Sequence, residues 1–289
     1  MYLAGTSNCT GVKSQKFNDK VCWITGASSG IGASLAQELS LTGAKLILSA
    51  RNVEGLEKVR SACLHPEKVT ILAFDMEDEE SLPEFTMKAW DVFKGIDYVF
   101  LNAGLAVRDW VLDLEIRMFK KVMAVNFFSA VIITKTLLPF MIEKKHGHFV
   151  ITSSQSGKHG IPKLSAYSSS KHALHGFFET LRAEYFKDGI RVTMIVPGLV
   201  RTDITIHSLR GDGSTSGKMQ AAVAGGISPV TCARKMIKVV AEEKNESYIG
   251  GMEIYSIWLK RFFPALLDSV IRNHPMKKVR QFQFHRKIK

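Results

Sequence analysis

Tyr167 and Lys171 stand four residues apart in the stretch Ser165-Ala166-Tyr167-Ser168-Ser169-Ser170-Lys171. In a helix that spacing puts a phenol and an ammonium on one face, where the positive charge favours the phenolate. An acid/base group results. Ser154 lies thirteen residues before the tyrosine, and the glycine-rich turn Thr25-Gly26-Ala27-Ser28-Ser29-Gly30-Ile31-Gly32 lies near the start of the chain. Taken singly, the tyrosine reads as a core residue, the serine as a turn residue and the glycines as an ordinary turn. Together they favour catalysis on a bound nucleotide.

Short β-branched or aromatic runs must position these groups. Val21–Thr25, Lys45–Ser49, Val69–Phe74, Tyr98–Leu101, His148–Thr152 and Arg191–Val196 read as strands, with helical patterns between them. That alternation predicts right-handed βαβ units and a doubly wound parallel α/β sheet, a Rossmann fold, in a single domain. Tyr248–Ile254 supplies a candidate last strand. The Gly- and Ser-rich segment 198–227 reads as a mobile loop near the site. The expected boundaries are an N-terminal extension over 1–17, the domain over 18–255 and a basic amphipathic tail over 256–289.

The glycine turn follows the first expected strand directly and opens a helix. Gly26 permits the sharp turn, Gly30 lets backbone approach a pyrophosphate, and Gly32 allows close helix–strand packing, while the helix N-terminus offers free N–H groups to the anion. The second strand ends Leu48-Ser49-Ala50-Arg51, with no carboxylate to accept from a ribose 2′-hydroxyl and a guanidinium next to it. A 2′-phosphate would be attracted there, so NADP(H) is expected over NAD(H), although Arg51 could instead cap a surface helix.

The chain has 289 residues, 46% of them hydrophobic and 23% charged, which argues against a disordered or membrane-embedded body. The first twenty residues show neither a signal peptide nor a spanning helix, so the expected location is intracellular and cytoplasmic, with an intracellular membrane such as the endoplasmic reticulum open for peripheral contact. Cys9, Cys22, Cys63 and Cys232 are far apart and read as reduced thiols. Asn8-Cys9-Thr10 and Asn245-Glu246-Ser247 match the glycosylation acceptor pattern but read as accidental without a secretory signal. His146, His148, His159, His172 and His175 lack carboxylate or thiol companions in the sequence and are assigned to loops and helix surfaces, not to a metal.

Of the net charge of +12, residues 257–289 carry +8. There Tyr255, Trp258, Leu259, Phe262, Phe263, Leu266, Leu267, Val270 and Ile271 form an amphipathic stripe that Pro264 must kink or restart. The stripe either packs on the domain or docks, with Lys260, Arg261 and Arg272, on an anionic membrane. Nucleic-acid binding by the basic end has no recognised module behind it.

Over residues 18 to 255 the chain resembles the short-chain dehydrogenase/reductase family, and through Trp23-Ile24-Thr25-Gly26, Leu48-Ser49-Ala50-Arg51 and Lys171-His172-Ala173-Leu174-His175-Gly176-Phe177-Phe178 it looks more narrowly like the subgroup around dehydrogenase/reductase family member seven. The T-G-x-x-x-G-x-G pattern falls on Thr25–Gly32, the adenine-side acid on Asp75, N-A-G on Asn102-Ala103-Gly104, the active-site Asn on Asn126, and the remaining catalytic set on Ser154, Tyr167 and Lys171. Pro197-Gly198 and Thr202 match the segment that holds the nicotinamide carboxamide. Leu101 departs from the family, where a second Asn often precedes N-A-G. The resemblance implies a cofactor site over Thr25, Gly26, Ser28, Ser29, Gly30, Ile31, Gly32, Arg51, Asp75, Asn102, Ala103, Gly104, Tyr167, Lys171, Pro197, Gly198 and Thr202. It also implies hydride exchange with a carbonyl or alcohol, a lipophilic substrate such as a steroid or retinoid, and a homodimer or homotetramer formed through helices 112–145 and 164–187. In that chemistry Tyr167 moves the proton, Lys171 lowers its pKa and binds the ribose, Ser154 holds the substrate oxygen, and Asn126 positions a water. The rival reading is a nucleotide-binding scaffold or sensor with little turnover.

Overall fold

A computed structural model describes residues 15–202, 208–215 and 221–273. Its strands are β1 (Val21–Thr25), β2 (Lys45–Ser49), β3 (Val69–Ile71), β4 (Tyr98–Leu101), β5 (Gly147–Thr152), β6 (Ile190–Pro197) and β7 (Glu246–Ile249). They form one parallel sheet in the order β3-β2-β1-β4-β5-β6-β7. The helices are α1 (Gly30–Ser40), α2 (Val53–Ser61), α3 (Leu82–Val92), α4 (Ile116–Met123), α5 (Ser129–Glu143), α6 (Ser165–Tyr185), α7 (Ala221–Ala224), α8 (Pro229–Ala241), α9 (Tyr255–Phe262) and α10 (Pro264–Arg272). Residues 1–14 of the expected 1–17 extension, with Cys9 and the Asn8 acceptor pattern, parts of the 198–227 loop and the basic end 274–289 lie outside the described residues.

Every residue of β1 is buried, because helices cover both sheet faces. Cys22 and Ile24 turn to one face, packing with Leu35 and Leu39 of α1 and Met236 of α8. Val21 and Trp23 turn to the other, with Leu137 of α5 and Phe178 of α6. Trp23 keeps its indole N–H satisfied by donating to Ser49 Oγ at 2.9 Å. The chain leaves β1 toward β2 on one side and reaches β4 on the other, so a crevice opens between the carboxyl ends of β1 and β4.

Two strands differ from expectation by more than one residue at an end. β3 ends at Ile71 rather than Phe74, and the chain then carries Phe74 and Asp75 to the crevice. β7 runs from Glu246 to Ile249, and after Gly250-Gly251 residues Met252–Ile254 coil into a 3₁₀ turn. Phe17, ahead of β1, is wholly buried with its ring 4.9 Å from that of Tyr98.

Among the described residues one helical run, Ile116–Glu143, is long and apolar enough to cross a membrane by length and composition. Here it serves as a core helix, with Ile133, Leu137 and Met141 fully buried. Pro264 restarts the C-terminal helix at its first residue, where its missing N–H costs nothing. Of the amphipathic stripe, Tyr255, Trp258, Phe262, Phe263, Leu266 and Val270 are exposed, while Leu267 and its off-stripe neighbour Ile257 are buried.

Candidate active site

The crevice is a cleft of about 850 Å³ that runs from the glycine turn to Tyr167 and Lys171. Gly26 has φ +67°, and a Cβ there would lie 2.8 Å from Ala103 Cα. Gly32 is packed harder: its Cβ would meet Gly26 O at 2.2 Å and Asn102 Nδ2 at 2.8 Å. Only hydrogen lets α1 sit so close to the turn. Ser29 caps α1 in an extended conformation without accepting from the first-turn amides through its side chain. Those N–H groups and the helix dipole are therefore available to an anion, and a pyrophosphate fits this turn.

Not all the expected catalytic and cofactor residues face the cleft. Gly26, Ser28, Ser29, Gly30, Ile31, Arg51, Asp75, Asn102, Ala103, Gly104, Ser154, Tyr167, Lys171, Pro197, Gly198 and Thr202 line it, whereas Thr25, Gly32 and Asn126 stand behind the lining. Thr25 Oγ1 accepts from the backbone N–H of Asn102 and Ala103 at 3.0 and 3.1 Å. Asn102 Nδ2 donates back to Thr25 O at 3.2 Å, and Thr152 donates to Asn102 Oδ1 at 3.2 Å. The T-G and N-A-G motifs thus lock β1, β4 and β5 together. Arg51, two-thirds exposed at the cleft rim, approaches Asp75 at 3.6 Å.

α6 projects Tyr167 and Lys171 from one face. Lys171 is almost fully buried and donates to Thr152 O at 2.7 Å, with Nζ 5.6 Å from the Tyr167 ring centre. Burial brings the Lys171 ammonium down to about 8. Burial also pushes the Tyr167 phenol up, against a hydrogen bond with Ser154 that pulls it down. In this geometry the protein alone therefore holds the tyrosine protonated. Ser154 caps the turn after β5 by accepting from Ser156 N at 3.1 Å.

Asn126 sits in a π-turn, Ala124–Phe128, between α4 and α5. It is buried, accepts from Leu105 N at 2.8 Å, and donates to Leu105 O and to Ser170 Oγ, both at 3.0 Å. A Cβ at Gly104 would lie 3.3 Å from Asn126 Oδ1 and 3.6 Å from Lys171 Nζ, so the two side chains converge over that glycine. The extra residue of a π-turn is what aims Asn126 there.

Sequence reasoning missed Glu253. Its Oε1 accepts from Leu199 N at 2.8 Å and Gly251 N at 2.9 Å, anchoring the segment after Pro197-Gly198. Gly250-Gly251 beside a carboxylate was the available signal, since a Cβ at Gly198 or Gly250 would strike that carboxylate. The histidines also correct the reading: His146 and His172 are exposed, but His148, His159 and His175 are buried, each bonded to a hydroxyl, of Thr193, Ser256 and Ser153 respectively.

Known proteins share this fold. The family model for short chain dehydrogenase matches residues 20–212. A "Dehydrogenase/reductase SDR family protein 7-like" protein of Anopheles gambiae is 37% identical over 269 residues, covering 90% of this chain and 84% of the relative. Among solved structures, a Burkholderia phymatum short chain dehydrogenase/reductase in complex with NAD superposes with a TM-score of 0.76 at 20% identity, covering 86% of this chain and 95% of that one. An alcohol dehydrogenase from the archaeon Thermococcus sibiricus, complexed with 5-hydroxy-NADP, does so with a TM-score of 0.68 at 28% identity, covering 81% and 97%. Sheet order and these likenesses converge: the chain belongs to the short-chain dehydrogenase/reductase family of oxidoreductases.

Proposed function

We propose that the protein is an NADP(H)-dependent reductase or dehydrogenase that interconverts a lipophilic carbonyl and its alcohol. The carrying observation is the cleft that joins an anion-ready helix N-terminus to Tyr167, Lys171 and Ser154. The nicotinamide, when bound, supplies or accepts the hydride. Tyr167 transfers the proton to or from the carbonyl oxygen, and Ser154 donates a hydrogen bond to the same oxygen as negative charge develops on it. Lys171 favours the phenolate electrostatically and holds the ribose, and Asn126 orders a water behind it. The raised phenol is a property of the protein alone, so the cationic oxidised ring is the natural counterweight that brings it into range.

Arg51, exposed at the rim beyond a carboxylate-free strand end, supports the 2′-phosphate and hence NADP(H). Leu105, Ala106, Val125, Leu199, Val200 and Val223 make the other end of the cleft apolar, which suits a lipophilic ketone, aldehyde or secondary alcohol. Tyr167→Phe is the test: turnover of a carbonyl panel is lost while NADPH binding, read by tryptophan fluorescence, is retained. Substantial turnover in that variant sinks the mechanism, and failure of the wild type to bind NADPH or NADH moves a scaffold role ahead of an enzyme.

A peripheral contact with an intracellular anionic membrane accompanies this reading. The outward faces of α9 and α10 combine Trp258, Phe262, Leu266 and Val270 with exposed Arg261 and Arg272, a pattern suited to a lipid interface. Ser256 on α9 bonds His159 of the loop after Ser154 at 2.9 Å, so that face adjoins the catalytic loop. Vesicles with and without phosphatidylserine, at low and high salt, test it. Concentration-dependent self-association without vesicle binding would assign the face to the homo-oligomer instead.

A further inference from the structure

His175 extends the four-residue series Tyr167, Lys171, His175 along α6 and sits directly behind the turn that bears Ser154. Its Nε2 is 2.9 Å from Ser153 Oγ, and Ser153 Oγ in turn reaches the Lys171 carbonyl at 3.4 Å. On the opposite edge of the ring, Nδ1 faces Glu179 of α6 at 3.3 Å and Glu246 of β7 at 3.8 Å. Glu246 also pairs with Lys158, four residues past Ser154, and accepts from the Tyr248 hydroxyl at 3.2 Å. No slack exists in the middle of this chain. A Cβ on Gly157 would lie 2.6 Å from Ser153 Oγ and 2.9 Å from the Lys171 carbonyl oxygen, so turn, serine and helix are in direct contact.

We propose that His175 is a positioning residue, which through Ser153 fixes the Ser154 turn against the Lys171 turn of α6 and so sets the distance between the two halves of the site. The inference rests on the oxidoreductase reading for its consequence in turnover, but not for the network itself. Two carboxylates facing Nδ1 select the tautomer with the proton on that nitrogen. Nε2 then accepts from the Ser153 hydroxyl, which ties strand end to helix. When the ring takes up a second proton, Nε2 becomes a donor and the Ser153 hydroxyl turns to the Lys171 carbonyl. Burial and Lys158 hold the imidazole below its ordinary range, against Glu246 and Glu179, which keeps it neutral near pH 7.

Turnover separates positioning from mere structure. With NADPH and retinaldehyde or a steroid ketone as probe, His175→Phe and Ser153→Ala each lower kcat by about 10- to 100-fold with little change in NADPH affinity, the cost of a small misplacement of reacting groups. The double variant is no worse than the worse single one, because both break one link. His175→Gln, which can still bond Ser153, restores kcat to within a few-fold and abolishes an acid-side ionisation that the wild-type kcat profile carries. Additive losses, or unchanged kcat and pH profile in the Phe and Ala variants, overturn the proposal. The ring-proton titration of His175, followed by NMR, is read whether or not the protein turns over any substrate: Ser153→Ala removes the partner of Nε2 in both protonation states, and because the bond donated by the cationic ring is the stronger of the two, the ring's pKa falls further. An unmoved titration overturns the network, whereas absent wild-type turnover with a moved titration overturns only the activity.

Discussion

Replacing Gly32 by Ala tests whether close packing beneath the glycine turn is what shapes the cofactor cradle. In isolation the change favours a helix interior by about 1 kcal/mol, since Ala loses less backbone freedom than Gly. At this position the new methyl would stand 2.2 Å from Gly26 O and 2.8 Å from Asn102 Nδ2. Both neighbours must retreat, and Asn102 holds the end of β1 through Thr25. Overpacking of this kind costs about 1 to 3 kcal/mol, and here steric conflict with backbone puts it at the upper end. The net loss is therefore about 1 to 2 kcal/mol in stability. Because the displaced atoms belong to the turn that faces the phosphates, NADPH affinity falls by about tenfold, the equivalent of 1.4 kcal/mol. Gly176→Ala is the matched control. It lies mid-helix in α6 with nothing within 4 Å of its added Cβ, so the propensity gain appears alone as a higher melting temperature with unchanged NADPH affinity. Thermal melts and fluorescence titrations of both variants decide the matter. Gly32→Ala with wild-type melting and wild-type NADPH affinity refutes the packing argument.

Arg51→Ala should weaken NADPH binding by about tenfold or more, the scale of a charge-assisted hydrogen bond, and leave NADH binding unchanged; an unaltered ratio removes Arg51 from the site. Asp97 is held at about 2: burial alone would raise its pKa, but hydrogen bonds from His146, Val21 N and Lys20 outweigh that. A group depressed in this way contributes stability above its ordinary value of 3.8 that is lost as the pH falls through about 2. Discounted for its exposed partners, the contribution is about 1 to 2 kcal/mol, so Asp97→Asn should lower denaturant stability by that amount at pH 7 and converge with wild type at the acid end. Parallel curves across that range would show the charge to be irrelevant.

How legible this was in the sequence depended on distance along the chain. The glycine turn and the Tyr167–Lys171 pair are local patterns, and six of the strands are continuous apolar runs of a kind that parallel sheets demand. What escaped was set by contacts remote in sequence. Glu253 acquires Leu199 N from the segment after β6, more than fifty residues away, and His175 acquires Ser153 from the turn after β5 and Glu246 from β7. A hydroxyl that satisfies a buried imidazole leaves no periodicity to read. The C-terminal stripe shows a different limit: its spacing identifies an amphipathic helix, but Ile257 and Leu267 do the burying, and the richer aromatic side faces outward. Periodicity reports that a face exists, not which side the domain has room for. β7 ended early for a simpler reason, since Gly250-Gly251 has no side chains to continue a pleated surface.

Lys171 gives the most direct measure of how much folding stability the site sacrifices. Lys171 is 3% exposed and its ammonium donates to Thr152 O at 2.7 Å, with no carboxylate paired to it among the described residues. Burial lowers its pKa from 10.5 to about 8. Below about 8 both folded and unfolded chains carry the proton, and the folded one bears the full penalty of about 3 kcal/mol, at 1.36 kcal/mol per unit. As the pH rises from about 8 toward 10.5 the folded lysine is already neutral while the unfolded one is not, so stability climbs and the penalty disappears. Lys171→Met retains the length of the side chain and removes the charge, at the cost of leaving Thr152 O without its donor, about 1 kcal/mol. The variant should therefore be more stable than wild type by about 2 kcal/mol at pH 6, lose that advantage by pH 10, and have no turnover. Chemical denaturation at the two pH values measures it. A variant less stable than wild type at pH 6 would mean that the buried ammonium is compensated by contacts beyond Thr152, and that the lysine is not held in place against its own solvation for the sake of the chemistry.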